Sequence, residues 1–179
     1  MLENVNVLVT GLPGCGKSTL VNRLLATAQQ QGFKVGGIRT PEFRDFTKKR
    51  VGFFIQDIAS GEQLIMASVK IESPVSVGRY RVNLEAIQQI GVAAINAAIE
   101  KADLIVIDEI GKMELAVSDF LPTVLKALNS TKPVLGTIGL RLKIPAISKL
   151  KTRSDVTLLT LKPENRTQIY QEIQNRFGL

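Results

Sequence analysis

The chain has 179 residues, 45% hydrophobic and 22% charged, with 23 basic and 16 acidic side chains for a net charge of +7. Those values describe a single globular domain, residues 1–179, long enough to bury a core without disulfides or a structural metal. With no histidine and one cysteine, a Ser-His-Asp triad, a Cys-His pair, His-ligated zinc and an intramolecular disulfide are all excluded. Acid-base and electrostatic work is left to Lys, Arg, Asp, Glu, hydroxyls, backbone amides and a hard metal ion.

Short apolar runs alternate with longer amphipathic ones. Asn4 to Thr10 reads as a strand entering a glycine-rich turn. Ser18 to Gln31 follows as a helix, with Leu20, Val21, Leu24, Leu25 and Ala28 at helical spacing and Gly32 as its stop. Lys34 to Thr40 is a strand. Arg50 to Ala59 and Glu62 to Ser68, joined by Ser60-Gly61, form a hairpin. Asn83 caps a helix running to about Lys101, and Asp103 to Ile107 is a buried strand. A helical stripe runs from Val117 to Leu128. Pro133 to Ile138 and Val156 to Leu161 are strands, and Pro163 to Phe177 is a closing helix with proline in its first turn. The alternation predicts an α/β fold with a mainly parallel sheet and an antiparallel hairpin at one edge.

The first turn carries chemistry. Gly11-Leu12-Pro13-Gly14-Cys15-Gly16-Lys17-Ser18 has the pattern of Gly, four residues, Gly, Lys and Ser or Thr, between a strand and a helix. Glycines let the backbone curl so that successive N–H groups face one concavity, and the helix start adds unpaired amides and the positive end of its dipole. Lys17 reaches the β- and γ-phosphates, Ser18 ligates Mg²⁺, and Thr19 adds an α-phosphate contact. Cys15 is open to two readings: a thiol made reactive by the helix start, or a small residue tolerated in the loop.

Leu104-Ile105-Val106-Ile107-Asp108-Glu109 is an apolar strand ending in two carboxylates, the form of a Walker-B strand. Asp108 joins Ser18 in the Mg²⁺ shell. Glu109 lies near the γ-phosphate, where it orients or deprotonates water. Strand carboxyl ends are where open α/β sheets build sites.

The run Val106-Ile107-Asp108-Glu109-Ile110-Gly111-Lys112-Met113-Glu114-Leu115, with the loop Gly11 to Thr19, resembles the THEP1-type nucleoside-triphosphatases, known in animals as cancer-related NTPases. Thr40-Pro41-Glu42-Phe43-Arg44, Val51-Gly52-Phe53, Val77-Gly78-Arg79-Tyr80-Arg81-Val82, Gly136-Thr137-Ile138 and Glu164-Asn165-Arg166 are similar to further family stretches in the same order. The resemblance covers residues 5 to about 170 and is weakest from Leu140 to Ser154. It implies a three-layer, RecA-like P-loop core and slow, Mg²⁺-dependent hydrolysis of ATP, GTP and other NTPs, with broad base tolerance. By position in the matching stretches, Lys112 and Glu114 either line the site or form a surface pair. Arg44 either supplies positive charge to the transferring phosphoryl group or is a solvated basic residue. Asn165 and Arg166 either touch base or ribose or simply start the last helix.

The guanine-reading N-K-x-D motif is absent, and Thr152-Arg153-Ser154-Asp155 is only a faint likeness. Two basic groups carry the excess charge: Arg39, Arg44, Lys48, Lys49 and Arg50, and Arg141, Lys143, Lys149, Lys151 and Arg153. Nucleic-acid binding is weighed against a solvated face, which the lack of interleaved aromatics favours. The sequence expectation is therefore a cytoplasmic NTP hydrolase, with no membrane segment and with a phosphate loop too near the start to leave room for a secretory signal. A nucleotide or nucleoside kinase and a nucleotide-gated nucleic-acid-binding module are the alternatives.

Overall fold

The computed structural model describes residues 5–179. The chain enters through β1 (Asn6–Gly11), whose six residues are all buried, and passes through the glycine-rich turn into α1 (Lys17–Gln30). Then come β2 (Val35–Arg39), β3 (Glu42–Arg44), β4 (Arg50–Asp57), β5 (Gln63–Ser68), β6 (Ser76–Val77) and β7 (Tyr80–Val82). One continuous helical run follows, made of α2 (Leu84–Ala86), a π-helical segment (Ile87–Val92) and α3 (Ala93–Lys101). Asn83 caps it, its Oδ1 accepting the Ala86 N–H at 3.1 Å. The rest is β8 (Leu104–Ile110), α4 (Phe120–Leu128), β9 (Val134–Gly139), α5 (Pro145–Lys151), β10 (Val156–Thr160) and α6 (Arg166–Phe177).

Among the described residues these strands form one mixed sheet in the order β10-β1-β9-β8-β2-β4-β5-β7-β6, with β3 paired to β4. The first five strands run parallel, and from β4 onward the pairing is antiparallel. Side-chain alternation divides the core between the two faces. Val7, Val9, Leu104 and Val106 meet Leu20, Leu24, Ile173 and Phe177 of α1 and α6. Leu8, Ile105 and Ile107 meet Ile95, Ala98, Phe120 and Val124 of α3 and α4. Helices on both faces bury the parallel strands from both sides, which is why their sequences are near-continuous apolar runs.

The expected α/β architecture and hairpin are present. Several elements differ from the sequence reading. The stripe expected from Val117 begins as α4 only at Phe120, because Glu114–Ala116 forms a separate 3-10 turn. The expected helix at Pro163 likewise opens with a 3-10 turn (Pro163–Asn165) before α6. Short strands β3, β6 and β7 and helix α5 had no clear periodic signal, being two to seven residues long. Asn4 lies outside the described residues. No helix among the described residues is long and apolar enough to cross a membrane.

The basic groups resolve unevenly. Lys151 donates to the Gly139 carbonyl at 2.8 Å, tying α5 to the end of β9, and Arg153 pairs with Asp155 at 2.6 Å. These cations serve local structure. Two aromatics are in fact interleaved in the other group: Phe43, packed against Phe54, and Phe46, 98% exposed at the tip between β3 and β4 beside Lys48 and Lys49.

Candidate active site

The sheet topology brings the carboxyl ends of β1, β9, β8 and β2 to one edge. In register, Gly11 stands beside Gly139 and Arg39 beside Asp108. The pairing of β8 with β9 is interrupted between Ile107 and Ile110, so Asp108 and Glu109 fall where the ladder is irregular.

The turn after β1 requires its glycines. Gly16 has φ +104°, in the left-handed region that disfavours other residues. A Cβ on Gly11 would lie 2.6 Å from Cys15 Sγ and 2.7 Å from the Leu161 carbonyl, so the strand must end in a residue without one. Cys15 is 7% exposed and packs in the core under α1. Its inward side chain favours the packing reading over a reactive thiol. Lys17 is buried to 8% exposure, and its ammonium donates to the carbonyls of Gly11 at 3.2 Å and Leu12 at 3.4 Å. The charge is thereby held across the mouth of the loop.

Asp108 is 3% exposed. Its Oδ1 accepts the Thr137 hydroxyl at 2.6 Å and the Ser18 hydroxyl at 3.4 Å. Burial pushes its carboxyl up, against these hydrogen bonds and the charges of Lys17 and Arg39. Burial also pushes Glu109 up, opposed by Lys17 and reinforced by Asp108. Glu114 is fully enclosed and pushed up to about 8, by burial first and then by Glu109 and Asp108; the N–H groups of Glu114 and Gly111 bond its carboxylate and oppose the shift. One carboxylate and one hydroxyl, both hard oxygen donors, fit Mg²⁺, which is commonly held by few protein ligands together with substrate phosphates.

A cleft of about 470 Å³ opens along the loop, lined by Gly14, Lys17, Ser18 and Thr19 on one side and by Arg39, Arg50, Phe53 and Glu109 on the other. Pro13 and Gly16 also line it. The sequence reading missed Arg39, Arg50 and Phe53 as site residues: Arg39 ends β2 beside Asp108 of β8, and Arg50 and Phe53 are placed by the antiparallel pairing of β4, long-range registers that local spacing does not show. Arg39 Nε donates to Gln56 at 2.6 Å. Arg50 is fixed by Tyr80, whose hydroxyl accepts its Nε at 3.0 Å and Arg79 at 2.9 Å, and by Glu42 at 3.2 Å. Phe53 packs edge-on to Tyr80, ring centroids 5.2 Å apart. The Val77 to Val82 stretch therefore braces the arginine that faces the phosphate loop.

Other expected site residues are placed differently. Arg44 is half exposed, bonded to Glu42 and to the Lys48 carbonyl, and does not line the cleft. Asn165 accepts the Lys162 N–H at 2.8 Å and donates to the Thr160 carbonyl at 3.0 Å, closing the turn before α6. Arg166 donates to the Cys15 carbonyl at 2.9 Å, bracing the loop through its backbone. Asp155 precedes β10, beside the start of β1 and so at the opposite end of the sheet from the loop. Lys112 and Glu114 line a chamber that adjoins the cleft at Lys17 and Glu109.

The family model described as NTPase matches residues 6–174. The nucleoside-triphosphatase THEP1 of Methanothermobacter thermautotrophicus is 39% identical over 174 residues, covering 97% of each chain. That of Thermotoga maritima is 40% identical over 169 residues, covering 94% of this chain and 93% of the relative. The chain belongs to the THEP1 family of nucleoside-triphosphatases. The crystal structure of THEP1 from Aquifex aeolicus superposes with a TM-score of 0.86 at 30% identity, covering 97% of this chain and 99% of that one. The solution structure of a human cancer-related nucleoside triphosphatase gives 0.79 at 30% identity, with 95% of each chain covered. Membership matches the fold and the phosphate loop: this is a nucleotide-binding P-loop NTPase.

Proposed function

We propose that the chain hydrolyses NTPs to NDP and phosphate with Mg²⁺, slowly and with broad base tolerance. The observation that carries this reading is the meeting of Glu109 and Lys17 at the end of the loop cleft. The loop amides, Lys17 and Thr19 bind the phosphates. Ser18 and Asp108 hold Mg²⁺, which when bound neutralises phosphate charge. Arg50 and Arg39 add positive charge from across the cleft, one of the two roles that the family resemblance leaves open for Arg44. Glu109, whose hold on a proton burial strengthens, orients water and accepts its proton. Phosphoryl transfer depends mainly on positioning and electrostatics, so a site without histidine suffices. Base tolerance is supported by the position of Asp155, which is too far round the sheet to act as a guanine reader.

Phosphate release measured across ATP, GTP, CTP and UTP, with Mg²⁺ and with chelator, tests the reading. Release from all four that stops on chelation is expected. Release that continues in chelator, or from one base only, contradicts the metal or base part respectively.

A further inference from the structure

The cleft is not the only space that reaches Glu109. On its far side lies a chamber of about 440 Å³, sharing Lys17, Thr40, Phe53 and Glu109 with the cleft. Its walls come from both halves of the sheet: Phe53, Met66 and Val77 from the antiparallel strands, Met113 after β8, Leu140 and Leu142 after β9. Met66 and Leu142 are buried, while Lys112 and Arg141 stand exposed at its edge. The four ion pairs among the described residues involve neither cation.

Hydrolysis needs room for one water, about 30 Å³. An apolar chamber more than ten times larger, opening on the residue that handles the nucleophile, has the size and lining of a small-molecule site. Its apolar walls match a hydrocarbon or aromatic body; the carboxyl groups of Glu109 and Glu114 line it too, while the two cations at its edge, Lys112 and Arg141, match an anionic group held there.

We propose that this chamber binds a second substrate, a small hydroxylated organic anion with an apolar body, which accepts the γ-phosphoryl group. The hydroxyl oxygen bonds to the γ-phosphorus as the bond from that phosphorus to the β–γ bridging oxygen breaks. NDP leaves, and the hydroxyl proton passes to Glu109. Hydrolysis is the same reaction with water in the acceptor's place. The inference rests on the reading of Glu109 as the group acting on the nucleophile.

The test uses full-length protein with Mg²⁺, γ-labelled ATP and a set of hydroxylated aryl and alkyl carboxylates: 3-phenyllactate, 4-(hydroxymethyl)benzoate and 3-hydroxyoctanoate. Ligand-observed NMR reads binding, and separation of labelled products reads transfer. Binding of at least one probe at millimolar concentration and label transfer to it are expected. Leu142→Trp fills the chamber, and Arg141→Glu, at an exposed position outside the core, cancels its edge charge. Each lowers the ratio of transfer to phosphate release at least tenfold. No binding by any probe, binding without transfer, or a ratio unchanged in Arg141→Glu overturns the proposal. Because binding is read without turnover, loss of the Glu109 reading is distinguishable: Glu109→Gln would then leave phosphate release intact whatever the probes do.

Discussion

The two halves of the sheet make different contributions to one site. The parallel half, β10 to β2, ends in the phosphate loop, Lys17, Asp108 and Thr137, buried groups held by short-range bonds to neighbouring strands. The antiparallel half supplies Arg50 and Phe53 on β4, Met66 on β5 and Val77 on β6. Its polar contacts run through a chain of side chains from the exposed Glu42 to Arg50, the buried Tyr80 and Arg79. The parallel half thus forms a rigid seat for phosphate and metal. The antiparallel half forms the opposite wall, whose charges are placed by hydrogen bonding. Changes in the seat remove binding or chemistry, whereas changes in the wall tune them.

The largest effects belong to the seat. Lys17→Ala removes the only ammonium at the loop mouth among the described residues and leaves the Gly11 and Leu12 carbonyls without its bonds. Nucleotide affinity and turnover both fall, turnover by about 10³-fold, in the range of lost preorganised charge. Titration with a fluorescent NTP analogue and phosphate release check it, and unchanged binding contradicts the loop assignment. Glu109→Gln keeps shape and loses the base. Turnover falls by about 10²–10³-fold while nucleotide affinity stays within about threefold. Wild-type turnover in that variant contradicts the role of Glu109.

Glu114 lies at the seam of the halves and tests stability. Its folded-state pKa is raised to about 8, above the ordinary glutamate value. The unfolded chain therefore gives up this proton first, so the contribution present below about pH 4.3 is lost as pH rises to about 8. The loss is on the order of a few kcal/mol. Glu114→Gln, which cannot ionise, flattens the slope, and its stability relative to wild type rises from pH 5 to pH 8. Urea melts at both pH values read the difference; parallel pH dependences in the two proteins contradict the burial argument.

Legibility in the sequence followed the same division. Val7, Val9, Ile105 and Ile107 belong to strands buried on both faces, so they stand out as apolar runs, and the loop and the Asp108-Glu109 pair sit at their ends. Fixed local spacing carries that information. Arg50 and Phe53 had no such signal. They reach the cleft because β4 pairs with β2 at Arg39 and Gln56, a long-range register invisible to local patterns. Glu114 was legible as a position in a motif, but not as a fully enclosed carboxyl folded back on the Gly111 turn.

The smallest effects separate two arginines of one basic group. Arg50 lines the cleft and is oriented by Tyr80 and Glu42, whereas Arg44 spends its guanidinium on Glu42 and the Lys48 carbonyl at the exposed hairpin. If orientation toward the loop matters more than net positive charge, the two variants differ although each removes one unit. Arg50→Ala lowers turnover about tenfold, and Tyr80→Phe, which keeps the ring beside Phe53 but drops the hydroxyl, lowers it about threefold. Arg44→Ala stays within about twofold, as an exposed ion pair contributes little. Phosphate-release rates for the three, taken at low and high salt, read the distinction. Equal losses in Arg44→Ala and Arg50→Ala that both vanish at high salt would mean that the wall acts only as a diffuse positive field.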